Sequence, residues 1–224
     1  MKKNLYVLTF IKLLGVTLLI CFLFASQNFA QKYGFETAVI DKTSKQIIID
    51  VMIIEVTVKI YVIGAGFKEA YHQTEKRTNL MTNQVEESRS VTIIDKDWIV
   101  TYDPETNEGT RMKNTFFDNF KGKSEKDQQK FSKDMADAMN TDVKEIGTEE
   151  IAGKLSTVTL AETKNMGMKT KTWLYKNFVM KLESESPGMS LRERVIRFQE
   201  DVEVAPTVFL IADEIILQTV KLPK

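Results

Sequence analysis

The sequence contains very little of the chemistry that most catalytic and metal-binding sites require. Its 224 residues include one cysteine and one histidine. Cys21 lies among the first thirty residues, so a chain that starts after them has no cysteine and forms no disulfide. A single histidine without cysteine also excludes a zinc site built from these ligands. His72 stands among polar neighbours, which is typical of a solvated strand histidine rather than a general base.

Motifs for catalysis and phosphate binding are missing as well. The sequence has no Gly-x-Ser-x-Gly elbow and no phosphate-binding loop. Gly64-Ala65-Gly66 begins like a dinucleotide turn, but Glu69 stands where the third glycine belongs. Asp95, Asp97 and Asp103 could meet as a hard-ion site, although turns collect aspartate for conformational reasons. We therefore predict a protein that is not an enzyme and that uses no cofactor or metal.

Charge of one sign is also lacking, since 31 basic side chains balance 31 acidic ones. Removing residues 1–30 takes away Lys2, Lys3 and Lys12 and no acid, which leaves a weakly acidic chain. Nucleic acid selects proteins with a basic stripe. We therefore expect no nucleic-acid partner.

Residues 1–30 have the layout of a secretory signal peptide. Lys2 and Lys3 precede an apolar stretch, and Ala30 supplies a small residue before a cut. The alternative is an uncleaved membrane anchor. A lipoprotein site at Cys21 is disfavoured, because bulky Ile20 precedes the cysteine. We expect an exported protein whose residues 31–224 form one domain.

The longest apolar run of this domain, residues 47–63, predicts β structure. Asp50, Glu55 and Lys59 would be costly inside a bilayer, and β-branched residues dominate. From residue 54 onward the even positions are apolar and the odd positions are largely polar. We predict one long, bent strand with a bulge. Two shorter strands joined by a tight turn are the alternative.

Further strand patterns follow this run, separated by turn residues at the spacing of an antiparallel meander. They cover residues 71–79, 85–94, 98–102, 110–113, 155–161, 170–176, 178–184, 189–198 and a last short segment within 207–217. Between the fourth and fifth of them the period changes. Residues 114–121 and 124–140 predict two helices, the second opened by a capping box at Ser124.

A helix with one apolar face needs an apolar surface to lie on, and the sheet is the available one. The fold class is therefore mostly β (α+β). We expect a curved antiparallel sheet that forms an incomplete barrel, with the two mid-chain helices covering its concave face.

Three segments resemble the LolA/LolB-type lipoprotein-carrier superfamily of the Gram-negative envelope. They are the hairpin strand Trp98–Asp103, the stretch Glu149–Lys154 and the strand pair Thr172–Lys181. The resemblance implies an incomplete barrel around an apolar cavity that holds acyl chains in the carriers. It also implies a location in the periplasm or at the outer membrane.

The predicted function is binding or carriage of a lipid, a lipoprotein acyl chain or another hydrophobic ligand by a monomer. The alternative is an interaction module with a solid core, which binds an envelope protein at a strand edge or at residues 47–53. Both alternatives use the same apolar side chains. The predicted cavity residues are Ile54, Val56, Val58, Ile60, Trp98, Val100, Tyr102, Phe116, Phe117, Phe120, Phe131, Met135, Met139, Phe178, Met180 and Leu182.

Overall fold

One open sheet organises the protein. The structure is a computed structural model, and it describes residues 32–114 and 140–220. The strands are β1 (Ala38–Ile48), β2 (Met52–Ile63), β3 (Lys68–Asn79), β4 (Val85–Ile94), β5 (Trp98–Asp103), β6 (Glu108–Lys113), β7 (Thr141–Ile151), β8 (Lys154–Thr163), β9 (Met168–Tyr175), β10 (Phe178–Ser186), β11 (Met189–Glu200) and β12 (Ile216–Val220).

These strands form a 12-stranded sheet in the order β12-β6-β5-β4-β3-β2-β1-β11-β10-β9-β8-β7. Neighbouring strands are antiparallel, except that β12 runs parallel to β6. Because β12 and β7 do not pair, the sheet is not closed into a barrel. Irregular register between β1 and β11, between β9 and β10 and between β7 and β8 adds local bends. The predicted curved, incomplete barrel is thus confirmed.

The prediction of one long strand over residues 47–63 is wrong, and the alternative of two strands is correct. The chain turns back at residues 49–51, so that Ile48 pairs with Met52. Asp50 takes a left-handed conformation with a φ of 57°, and the Val51 amide donates to the Ile48 carbonyl at 3.1 Å. Aspartate tolerates this conformation better than the β-branched residues around it. The first charge of the run, Asp50, therefore marks the turn.

The other predicted strands are confirmed within a few residues at their ends, apart from the last. Over residues 207–217 the chain forms a 3-10 turn at Pro206–Phe209, and β12 begins only at Ile216. Two strands carried no recognisable signal. β1 is polar through its middle, and β7 alternates charges with few apolar residues because it lies at an edge of the sheet. Two helices were predicted over residues 114–121 and 124–140. Apart from Asn114 and Asn140, these residues lie outside those that the structure describes.

The two faces of the sheet are named here after neighbouring residues of β2. The Ile60 face carries Ile54, Val56, Val58, Ile60 and Val62, and the Tyr61 face carries Glu55, Thr57, Lys59, Tyr61 and Ile63. The larger hydrophobic cluster includes Ile40, Ile60, Phe178, Met180 and Phe198. A smaller cluster on the Tyr61 face contains Ala70, Val91, Ile93 and Phe209. The larger cluster therefore covers part of the Ile60 face, and the smaller cluster covers another part of the sheet on its Tyr61 face.

Candidate functional site

The apolar stripe of β2 is the centre of the predicted ligand site. Ile54 and Ile60 are buried, whereas Val56 and Val58 between them are only partly buried. In the register, Val56 lies between Ser44 and Glu75, and Val58 lies between Lys42 and Gln73. The middle of the Ile60 face thus offers accessible apolar surface with a polar rim.

Aromatic side chains of the first described residues cover one end of this face. Tyr33 stacks on Phe35 with ring centroids 5.1 Å apart. Phe35 packs edge-on against Phe198 at 5.3 Å and against Phe178 at 6.2 Å. Aromatic pairs at these separations and angles are favourable beyond the area that they bury. Residues 32–36 therefore belong to the folded core.

A buried charge fixes the same segment to β3. Glu69 is fully buried; it accepts a hydrogen bond from Lys32 Nζ at 2.6 Å and another from the Tyr71 hydroxyl. Burial raises the pKa of Tyr71 well above its ordinary value, and the negative charge of Glu69 acts in the same direction. Burial alone would lower the pKa of Lys32, but Tyr71 and Glu69 outweigh it, so that this pKa is raised. Tyr71 is thus a neutral donor and Lys32 a cation at neutral pH.

A group of buried hydroxyl side chains lies on β8, β9 and β10. Thr172 is fully buried and lies in register between Leu182 and Thr159. The neighbouring hydroxyls of Thr170 and Ser184 bond each other at 2.9 Å. The Thr172 hydroxyl has no hydrogen-bond partner among the described residues. A buried hydroxyl without a partner costs free energy, so this one can accept or donate a bond to a further group.

The structure divides the predicted cavity residues between the two faces. Ile60 and Val58 pack with Phe178 and Met180 in the larger cluster. Val100 pairs with Ile93 and Tyr102 with Val91, and Ile93 and Val91 belong to the cluster on the Tyr61 face. Trp98 lies on the same face of β5 as Val100 and Tyr102, and its ring centroid is 5.2 Å from Arg111 Cζ.

Further predicted residues are buried or are not described. Leu182 is 1% exposed and faces Thr172. The remaining predicted cavity residues fall outside the described residues: Phe116, Phe117, Phe120, Phe131, Met135 and Met139. The residues that the structure brings together on the Ile60 face are therefore those of β2 and β10, and the hairpin strand β5 belongs elsewhere.

Sequence reasoning missed a charged groove on the Tyr61 face. The groove has a volume of about 680 Å³ and extends from β10 across β11, β1, β2 and β3 to β4. It is lined by Thr43, Ser44, Lys45, Glu55, Val56, Thr57, Thr74, Lys76, Glu87, Lys181, Glu183, Arg192, Glu193 and Arg194. The polar residues at odd positions of β2 indicated that one face of this strand is polar. The groove itself could not be predicted, because only the pairing of six strands brings its charged side chains together.

A buried tryptophan borders this groove. The Trp173 indole donates to Glu149 at 2.6 Å, and Lys181 Nζ lies 4.0 Å from the Trp173 ring centroid. Lys181 also forms an ion pair with Glu183 at 3.1 Å. Trp173 thus contacts Glu149 and Lys181, whose charged groups lie 3.9 Å apart, and these contacts orient Lys181 at the groove wall.

The side chains considered for catalysis or ion binding have structural partners. His72 packs edge-on against Tyr61 at 5.4 Å. The Asp95 carboxylate accepts from the Trp98 amide at 2.7 Å, and the Asp103 carboxylate accepts from the Glu105 amide at 2.7 Å. Within residues 32–114 and 140–220, no group of three acidic, histidine or cysteine side chains could hold a metal ion. The aspartates therefore organise turns.

Comparisons with solved structures return several matches at low sequence identity. No protein-family model matches the sequence, and no curated protein matches it. An uncharacterized conserved protein from Thermus thermophilus matches with 8% identity and a TM-score of 0.49, over 84% of this chain and 92% of that one. In the Pseudomonas aeruginosa MucA/MucB complex, a chain matches with 13% identity and a TM-score of 0.43, over 82% of this chain and 59% of that one.

A LolA superfamily protein from Nitrosomonas europaea matches with 8% identity and a TM-score of 0.35, over 80% of this chain and 92% of that one. The solved structures that match thus include a member of the LolA superfamily, which the three sequence segments also resemble. At these identities the likeness concerns the arrangement of strands, and no binding partner of these proteins is assigned to this chain. Within the described residues, no helix has the length and apolar character to cross a membrane.

Proposed function

We propose that the protein is a non-catalytic envelope protein that binds a hydrophobic ligand on the Ile60 face. The supporting observation is the incomplete burial of Val56 and Val58 at the centre of an otherwise buried apolar stripe. A lipid tail on this stripe would remove the remaining apolar surface from water. Each buried methylene contributes about 0.8 kcal/mol, so a long acyl chain would gain enough to offset the cost of immobilisation.

The buried hydroxyl of Thr172 gives the ligand site a polar element. An acyl ester offers a carbonyl oxygen, which a threonine hydroxyl can donate to. Thr172 belongs to a strand that is separated from β2 by β10, β11 and β1. Thr172 is fully buried, so a long ligand that lies across these strands would reach its hydroxyl when the side chains that cover it move aside. The ligand class that we propose is therefore a lipid with an ester or amide group.

Native mass spectrometry of protein purified from envelope extracts tests this proposal. We expect a co-purified lipid, and we expect the delipidated protein to bind palmitoyl phospholipid again. Val56→Asp and Val58→Asp each place a charge on the stripe and should weaken rebinding at least about tenfold, since a charge is costly in an apolar contact. Val85→Asp is the matched control, because Val85 is 56% exposed at a hairpin tip.

Two results would contradict the proposal. One is delipidated protein that binds no phospholipid although its melting curve is that of the folded chain. The other is rebinding by Val56→Asp and Val58→Asp that equals rebinding by Val85→Asp. In either case the interior would be a solid core, and an interaction module would remain.

A further inference from the structure

The charged groove has a floor of hydroxyl groups, in a row that ends at Arg194 of the groove lining and at Arg89 just outside it. Thr43, Thr57 and Thr74 lie opposite one another on β1, β2 and β3. Arg194 of β11 is opposite Thr43, and Arg89 of β4 is opposite Thr74. Four strand spacings separate the arginine positions, which corresponds to about 19 Å across the sheet. This row contains hydrogen-bond donors along its whole length and no acidic residue.

The acidic residues of the groove are largely neutralised within the protein. Glu55 pairs with Lys45 at 2.9 Å, and Glu183 pairs with Lys181 at 3.1 Å. Glu193 forms an ion pair with Lys42. These carboxylates therefore present little free negative charge to a ligand.

The basic residues are less completely paired. Arg194 has no ion-pair partner within the described part of the chain, and Arg192 reaches Glu185 only at 3.9 Å with both side chains 72% exposed. Lys76, in contrast, lies between Glu55 and Glu87 in the register. Arg192 lies between Lys45 of β1 and Glu183 of β10 in the register, whereas Arg194 lies between Thr43 and Lys181. Like charges in this position destabilise a sheet. The unmatched charge at the β11 end is thus positive.

At the opposite end of the groove the balance differs. Glu87 of β4 forms no ion pair within 4.0 Å among the described residues, but Lys76 of β3 lies directly opposite it in the register. Arg89, on the same strand, pairs with Glu105 at 3.6 Å while both side chains stay largely exposed. The groove is therefore most basic at β11, and a ligand would be anchored by its negative charges there.

We propose that this groove binds an extended, acidic segment of a partner protein. Carboxylates of the segment pair with Arg194 and Arg192, and its polar groups bond the threonine floor. The groove's volume of about 680 Å³ lies in the range of about 300–1,000 Å³ that is usual for ligand sites. The arginines and threonines of this site lie on the Tyr61 face, whereas the lipid proposal concerns the Ile60 face; of the apolar stripe, only Val56 also borders the groove.

Fluorescence anisotropy with a labelled peptide of alternating aspartate and serine tests the proposal on the folded chain. We expect binding that weakens as salt rises, because exposed ion pairs are screened. Arg194→Ala should weaken binding about fivefold, and the double variant Arg192→Ala/Arg194→Ala should weaken it further. Arg197→Ala is the matched control, since Arg197 is an exposed arginine of the same strand outside the groove.

The proposal is overturned if the acidic peptide does not bind at low salt, or if Arg194→Ala and Arg197→Ala bind it equally. It is also overturned if a peptide with lysine in place of aspartate binds as well. Phosphatidylglycerol vesicles provide a further comparison. Binding of these vesicles that depends on Arg194, together with no binding of the acidic peptide, would assign the groove to a membrane surface instead.

Discussion

Among single residues, the most demanding position is Glu69. Its carboxylate is completely buried, and Lys32 supplies the compensating charge through a side chain that is still 37% exposed. Burying a carboxylate is tolerated only when it is paired and hydrogen-bonded. Tyr71 supplies the second bond. Lys32 therefore depends on two residues of β3 that are distant from it in sequence.

Glu69→Gln should lower the free energy of unfolding by about 2 kcal/mol, because it leaves the Lys32 ammonium without its counter-charge. The partial exposure of Lys32 keeps this effect below that of a fully buried pair. Urea unfolding followed by circular dichroism measures it. Glu86→Gln, at an exposed position of β4, should change stability by less than about 0.5 kcal/mol. Equal effects of the two substitutions would show that the ion pair contributes nothing.

Between elements, the close approach of residues 32–36 to the turn after β2 depends on a glycine. Gly66 has a φ of +91°, and a Cβ there would lie 2.8 Å from Lys32 Cβ and from the Tyr33 ring. The Tyr33 amide donates to the Ala65 carbonyl at 3.0 Å in the same place. Any side chain at position 66 would separate the two segments. The glycine is therefore needed for conformation and for space together.

Gly66→Ala should destabilise the protein by about 3 kcal/mol, the sum of a strained φ and a steric clash. Gly153→Ala provides the comparison, since Gly153 has a φ of +76° and a Cβ added there would meet no atom within 4 Å. That substitution should cost only about 1 kcal/mol. Thermal unfolding of both variants separates the two contributions. A Gly153→Ala variant as unstable as Gly66→Ala would assign the whole effect to backbone conformation.

In the molecule as a whole, the two ends of the described chain cover opposite faces of one sheet. Residues 32–36 pack on the Ile60 face, whereas the segment after β11 brings Phe209 onto the Tyr61 face beside Ala70, Val91 and Ile93. The chain then reaches β6 and adds β12 in parallel. Contacts between residues so distant in sequence tie the two ends of the described chain to one sheet.

Phe209→Ala should lower the free energy of unfolding by about 3 kcal/mol, because it opens a cavity in the smaller cluster. Its neighbour Leu210 is 65% exposed, whereas Phe209 is 5% exposed. Leu210→Ala should therefore change the free energy of unfolding by less than about 0.5 kcal/mol. Chemical denaturation measures both, and an unchanged m-value shows that the transition still involves the whole sheet. Comparable losses in the two variants would contradict this role of Phe209.

Most strand positions could be predicted from the amino-acid sequence, because period-two alternation and turn residues are local signals. The open, curved character of the sheet was also accessible, through the resemblance to the LolA superfamily. β1 and β7 were not, since the polar middle of β1 and the charged pattern of β7 give no alternation between an apolar and a polar face. The sequence also could not decide whether the chain bends at Asp50 within one strand or reverses there into a second strand, because both structures fit the same residue pattern.

Which residues share a face became clear only from the pairing of the strands. Trp98, Val100 and Tyr102 alternate in the same way as Ile54 to Ile60, yet the register places Val100 and Tyr102 beside the cluster on the other side of the sheet. Alternation tells which side chains of one strand point together, but the register between strands sets which side of the sheet that is. The charged groove arose in the same way, from side chains of six strands that pairing alone brings together.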